Sequence, residues 1–366
     1  MASRPEQVGI LERMANPIET APVLARDAQA EAPTTRVSLS RVGVVGVEKI
    51  IRVCASQNGG QAEDASLYHA DLECFVDLNP EQAGVHMSRF EEVVNEAIDT
   101  VVLSEALRAE GLAAHIAEQV RERQGGIRAE VKIAARYPET VPAPVSGLPT
   151  QELYTLFGTA VSSDRGTRTL IGVEAQGMTA CPCAQGLVED GARERLIEEG
   201  FGAEDIDRIV DAVPIATHNQ RGIGTLYIGT PEDSGVDIDA RRLLRIVESS
   251  MSSEIYELMK RADERAVVEK AHANPRFVED CVREMIRQVT DAFPELRDGA
   301  FVHARQENLE TIHRHNVVAE RYGLLSEIVG ELESGAHSPH HTTMREWLEA
   351  PSGHQAALLG SEGRSP

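Results

Sequence analysis

The apolar positions of this chain change period several times, and each change marks an element. Residues 42–53 (VGVVGVEKIIRV) make an apolar run of strand length, and 67–78 (LYHADLECFVDL) alternate apolar with polar residues. Successive strand side chains point to opposite faces, so the two runs, separated by a Gly-rich gap, predict a long antiparallel hairpin. From Ser88 to about Gln124 the apolar residues recur at helical spacing with a break near Gly111, which predicts two helices. IRAEVKIAARY at 127–137 returns to a strand pattern.

A second set begins near Leu153. YTLFGTAVSS at 154–163 and TRTLIGVEAQG at 167–177 flank Asp164, Arg165 and Gly166, a hairpin signature. Residues 188–212 read as helical, 222–230 as a strand, 239–261 and 275–292 as two helices, and 299–308 as a closing strand. The two sets share an order of elements without a residue-level repeat. That order predicts an α+β fold of two tandem modules, each an antiparallel sheet backed by helices. The predicted division is an N-terminal arm over 1–36, modules over 37–150 and 151–333, and a polar, flexible tail over 334–366.

Charge narrows the class of partner. The chain holds 36 basic and 59 acidic residues, a net charge of −23, and only four of its basic residues are lysines. Such a surface repels nucleic-acid phosphates. It suits a high-salt cytoplasm, where screening removes most self-repulsion, and is read as a halophile's solvent-facing composition. No apolar run approaches bilayer length and the first residues do not form a signal peptide, so a cytoplasmic protein with no membrane partner is expected. Five cysteines in that compartment read as thiols or metal ligands rather than a disulfide frame.

Two of the five, Cys181 and Cys183, flank Pro182 in TACPCAQG. The spacing is too tight for an ordinary disulfide and lacks the two-residue gap of a zinc knuckle. One thiol is expected to face a pocket and the other the core; spacing alone leaves open which. Downstream come THNQRG with His218, KRADE with Glu264, NPRFVED with Glu279 and ETIHRH with His313 and His315. Thiolate, imidazole and carboxylate together suit Zn(II) or Fe(II) and leave a position for water. If 313–315 is extended, its two imidazoles share a face and suit proton transfer. Cys54, Cys74 and Cys281 sit within or beside periodic runs and read as small core residues. His337, His340 and His341 make only a weak metal-binding tract.

GVHMSRF (84–90), MTACPCAQ (178–185), HNQRG (218–222), KRADE (260–264), NPRFVED (274–280) and ETIHRH (310–315) occur in one order. Together, over about Val42 to Arg321, they resemble the type IB GTP cyclohydrolase family, most closely its archaeal, methanopterin-pathway branch. The resemblance implies a tunnelling fold whose copies assemble as dimers or tetramers into barrels, with active sites between subunits. It implies opening of the guanine imidazole ring of GTP, loss of C8 as formate, and Fe(II) as the metal, with Mn or Zn as alternatives. The implied product is 7,8-dihydroneopterin 2′,3′-cyclic phosphate, with phosphate and pyrophosphate lost, at the first step of methanopterin or folate synthesis.

Residue by residue, the resemblance makes Cys181, His218 and Glu264 the metal ligands, with Cys183 facing away in support; the opposite assignment of the two thiols stays open. Glu279 would anchor the guanine edge. His313 and His315 would move protons, with Cys181 counted among the catalytic groups. His86, Ser88, Arg89 and Arg221 would hold the triphosphate. The segment 184–217 is far longer than in the bacterial branch and fits the archaeal one. Three other functions compete: a cyclohydrolase yielding dihydroneopterin triphosphate, a tunnelling-fold NADPH-dependent nitrile reductase, and a purine-binding scaffold without metal. The reductase lacks a recognisable nicotinamide signature here, and HNQRG and IHRH argue against it.

The charge reading makes a direct prediction. Stability against chemical denaturation should rise as KCl is raised from about 0.1 M to about 2 M, because the Debye length shrinks from about 10 Å to less than 3 Å. A flat or falling salt dependence would remove the halophile reading.

Overall fold

The computed structural model describes residues 29, 31–53, 66–103, 108–231, 236, 238–336 and 338–350, without the side chains of 52, 53, 66 and 99–103. Most of the predicted arm, 1–28, lies outside them. One antiparallel sheet runs through the described chain in the order β1-β2-β3-β4-β5-β6-β8-β9. Its strands are β1 Leu39–Val53, β2 Ser66–Leu78, β3 Arg128–Pro142, β4 Pro149–Ser163, β5 Gly166–Ala180, β6 Asn219–Gly229, β8 Phe301–Leu309 and β9 Val317–Leu324. A two-residue strand, β7 Ser253–Glu254, pairs with β5. The architecture is the expected α+β arrangement, with the eight long strands divided four and four at the β4–β5 turn and helices behind each set. Residue 150 lies at the start of β4, inside the β3–β4 hairpin where Pro142 faces Pro149.

Alternation divides the sheet into two faces. On β2, Tyr68, Ala70, Leu72, Cys74 and Val76 are buried while the residues between them are not. Against this face pack α1 Met87–Leu103 and α2 Ala109–Gln124. Helix α2 presents Leu112, Ala113, Ile116, Ala117 and Val120, the spacing of one helix face, and all five are buried. Burial of such an aliphatic side chain contributes about 1.5–3 kcal/mol relative to exposure. Gly158 of β4 permits the close approach, because a Cβ there would lie 2.2 Å from the Ala109 carbonyl carbon. The expected break near Gly111 falls earlier: Gly111 sits in the first turn of α2. Helices α5 Ala240–Ser249 and α7 Val278–Ala292 cover the second set.

Three expectations differ from the structure. The helix predicted over 188–212 is two, α3 Pro182–Glu198 and α4 Ala203–Ala212, parted where Gly200 takes a φ of 88°. The helix predicted over 239–261 is α5, then β7, then α6 Arg261–Ala273. The serine run 249–253 ends α5: Ser249 and Ser250 hydroxyls both donate to the Ile246 carbonyl, competing with the backbone ladder. Beyond the predicted last strand come β9 and α8 Leu325–Ser334, and the tail read as flexible carries α9 Met344–Glu349. Trp347 holds that segment to the helix-free face: it is 2% exposed, packs on Phe301, and donates from Nε1 to the Gly299 carbonyl at 3.0 Å. A polar composition hid one anchoring indole. Between this segment and mid-strand residues including Tyr227, His303 and Arg305 lies a cavity of about 520 Å³. No helix among the described residues is long and apolar enough to cross a membrane.

Asp263 ties α6 to the rest of the molecule. Its buried carboxylate accepts from the Val145 and Ser146 amides and the Ser146 hydroxyl of the β3–β4 turn, and from the Lys260 amide. The Ser146 amide leads these donors in holding the carboxyl well below the usual range. A folded-state pKa below the unfolded one gives stability that is present above about pH 4 and lost as pH falls beneath it. Asp263→Asn should therefore be clearly less stable than wild type at neutral pH, with the gap closing toward about pH 2 in urea titrations. A gap independent of pH would show that the charge of Asp263 is not what matters.

Candidate functional site

Three strands end together at one edge of the second set. Strand β5 ends at Ala180, β6 begins at Asn219 facing it, and β8 ends at Leu309 facing Arg221. The ladder continues one step further through the Cys181 amide, which donates to the His218 carbonyl at 3.1 Å. The Cys181 carbonyl accepts from the Thr217 hydroxyl at 2.7 Å and from the Gln185 amide. Pro182 then occupies the first position of α3, where a missing N–H costs nothing and φ is already helical. The C-P-C unit is thus a strand end turning into a helix. Cys181 is half-buried and Cys183 exposed.

Neighbouring segments converge on this edge. The Gln185 side chain donates to the carbonyls of Ile215 and His272, tying the start of α3 to the loop before His218 and to the end of α6. The Arg276 amide donates to the Ala180 carbonyl at 2.9 Å, which brings the start of α7, with Glu279 exposed in its first turn, to the Cys181 end.

His218 and Glu310 form the most unusual contact. His218 Nδ1 lies 3.9 Å from Glu310 Oε2, with the side chains 14% and 7% exposed. Both atoms are buried and neither has a hydrogen-bond partner. The separation is too long for a hydrogen bond. Leaving a buried polar atom unpartnered costs about 1–3 kcal/mol, so two facing each other mark a place for a third group. Glu310 opens the ETIHRH motif, but no role was read for it from sequence; the available signal was its position just after a predicted strand at an element end. With Cys181 on the adjoining strand end, the donor set of sulfur, nitrogen and oxygen fits a borderline-soft divalent cation.

The other predicted residues divide. Glu264 is exposed in the first turn of α6, beside the buried Asp263. Neither Cys181, His218 and Glu264 nor Cys181, His218 and Glu310 bring all their ligand atoms within 4.8 Å of one another; among the described residues that clustering is met by exposed Glu48, His69 and Asp71 on β1 and β2. His313 and His315 stack with ring centroids 5.2 Å apart, so they do share a face, but in a bend rather than an extended strand. Arg221 is exposed on β6, on the face opposite buried Gln220. His86, Ser88 and Arg89 follow β2, whose Val76 pairs with Ala129 near the start of β3, so they lie at the other end of the sheet. Strand β5 alone spans 15 residues, on the order of 45 Å at about 3.3 Å each. One chain does not join those three to Cys181. Arg89 there donates to the Arg123 carbonyl, and Gln124 donates to that of His86.

A family model described as GCHY-1, type I GTP cyclohydrolase folE2, matches residues 25–319. A relative named GTP cyclohydrolase MptA from Methanococcus aeolicus is 41% identical over 313 residues, covering 84% of this chain and 99% of its own. The protein of that name from Methanocaldococcus jannaschii is 38% identical over 313 residues, covering 84% and 98%. Among solved structures, the uricase from Arthrobacter globiformis aligns with a TM-score of 0.48 at 10% identity, over 84% of this chain and 98% of its own.

The thiols can be ranked by environment. Burial, reinforced by nearby Glu91 and Glu73, pushes the Cys74 thiol up to about 12; burial likewise pushes Cys281 up to about 12. Both sit in the core as expected, while Cys54 lies outside the described residues. Maleimide labelling of the folded protein, mapped by peptide mass, should modify Cys183 first and Cys181 more slowly, and should leave Cys74 and Cys281 unmodified until denaturant is added. Early labelling of Cys281 would contradict the packing of α7.

Proposed function

The chain belongs to the type I GTP cyclohydrolase family of the folE2 kind, and from that premise we propose that it opens the imidazole ring of GTP at the Cys181–His218 edge. The coarse activity, a GTP cyclohydrolase of pterin biosynthesis, follows from the family. The observation that carries the location is the buried, unpartnered pair His218 Nδ1 and Glu310 Oε2 beside Cys181.

Cys181, His218 and Glu310 would hold a divalent ion, Fe(II) in this reading, with Glu264 joining only if α6 or another copy of the chain brings it in. When bound, that ion supplies Lewis acidity toward water and the base. Glu279 accepts hydrogen bonds from N1–H and the exocyclic amine of guanine, a bidentate match for a carboxylate. One of the stacked pair His313 and His315 takes the proton of the water that adds at C8; the other returns a proton to the ring nitrogen that departs. A second water releases C8 as formate. His86, Ser88 and Arg89 would reach the triphosphate only from a neighbouring copy, which makes the working enzyme an oligomer.

The phosphorus count amends the products implied by the resemblance. GTP carries three phosphorus atoms. One retained in a 2′,3′-cyclic phosphate leaves two, which depart together as pyrophosphate, so no separate phosphate is released.

The test is anaerobic turnover of chelator-stripped protein, reloaded separately with Fe(II), Mn(II) or Zn(II), with GTP followed by mass spectrometry. Dihydroneopterin cyclic phosphate, formate and pyrophosphate should appear with Fe(II), and fall by roughly 10³-fold or more in Cys181→Ala and His218→Ala. A triphosphate product would correct the ribose chemistry alone. Absence of any pterin with every metal, in folded protein that binds GTP, would overturn the reading.

A further inference from the structure

Behind the Cys181–His218 edge lies a second row of polar atoms. Thr179 of β5 pairs directly with Gln220 of β6, and Glu310 follows Leu309 one step beyond the Arg221–Leu309 pair. The three residues therefore form a row across three adjacent strands on the helix-covered face. Thr179 is 0% exposed and Gln220 5%. Thr179 Oγ1, Gln220 Oε1 and Glu310 Oε2 are all buried without a hydrogen-bond partner. Buried polar atoms are nearly always paired, so three orphans in one row call for a partner, as does Gln306 Oε1 further along the same face.

The inner side of the row is filled. Gly177 and Gly222 stand where larger residues would collide: a Cβ on Gly177 would lie 2.8 Å from Met251 Sδ, and one on Gly222 would lie 2.4 Å from Gln306 Nε2. Gln306 donates onward to Asn308 Oδ1 at 3.0 Å. Met251, Gln306 and Asn308 lie on the inner side of the row, and the strand ends that carry Cys181 and His218 lie on its outer side.

We propose that Gln220, with Thr179 beside it, is a specificity-determining residue that hydrogen-bonds the polar edge of the bound purine base. The inference rests on the cyclohydrolase reading of the adjoining site. A glutamine amide presents a donor and an acceptor in one plane, and a hydroxyl does both, so the pair matches the alternating ring nitrogens and exocyclic groups of a purine. A site built this way rejects bases that leave its polar atoms unpaired.

The test uses the metal-loaded enzyme in its native assembly. Gln220→Met and Thr179→Val keep side-chain volume and remove the hydrogen-bonding atoms; Thr179→Ser keeps the hydroxyl. Measured are GTP affinity by calorimetry, KM and kcat separately, metal content, and the melting temperature without nucleotide. Gln220→Met and Thr179→Val should each raise the GTP Kd and KM by about tenfold, with a smaller change in kcat and unchanged metal content. Their nucleotide-free melting temperatures should hold or rise, because an unsatisfied buried polar atom has been replaced by an apolar one. Thr179→Ser should retain wild-type affinity. Variants that melt lower yet bind GTP as wild type does would overturn this inference alone and make the row a structural, hydrated network. A wild-type enzyme that binds no GTP would overturn the cyclohydrolase reading and this inference with it.

Discussion

The register between β5 and β6 is the constraint on which the site depends. Ala180 faces Asn219, and the Cys181 amide extends the ladder to the His218 carbonyl. Strand side chains alternate faces with period two, so a slip of one residue would move Thr179 and Gln220 from the helix-covered face to the open one. The long continuous pairing of these strands holds that register, and Pro182 then stops the strand and starts α3. A half-buried thiol thereby comes to sit beside an imidazole from a distant part of the chain.

Around this edge, the fold spends polar groups where they serve as joints. Asp263 satisfies the amides of the β3–β4 turn, Gln185 satisfies two carbonyls at the foot of α3, and the Arg276 amide satisfies the last carbonyl of β5. These groups are well paired, which sets apart the neighbouring atoms that are not. His218 Nδ1, Glu310 Oε2, Gln220 Oε1 and Thr179 Oγ1 lie beside these joints, buried and without a hydrogen-bond partner. That contrast locates the site more sharply than a cavity does: the 520 Å³ cavity is on the other face, under the C-terminal segment.

The division of labour within KRADE follows the same logic. Its two adjacent carboxylates have opposite surroundings, Asp263 buried among amides and Glu264 exposed. Consecutive residues on a helix point about 100° apart, so one can be structural while its neighbour stays available at the surface. A like contrast holds in C-P-C, where the two thiols differ in exposure because Cys181 stands at the N-cap position, in extended backbone, and Cys183 lies in the first turn of α3.

Local pattern determined much of this protein by itself. The period-two run 67–78, the hairpin around Asp164–Gly166, the strand at 222–230 and the core places of Cys74 and Cys281 were legible because they depend on residues close in sequence. The six ordered motifs carried the family, because chemistry restricts residue type at those positions. What tertiary structure alone decided involves groups far apart in the chain: Glu310 against His218, the unpartnered row of Thr179 and Gln220, and the indole of Trp347 seated on Phe301. It also placed His86, Ser88 and Arg89 at the far end of the sheet from Cys181. Periodicity reports which face a residue takes but not which distant residue it meets there. That meeting is set by strand order and register, which emerge only when the whole sheet pairs.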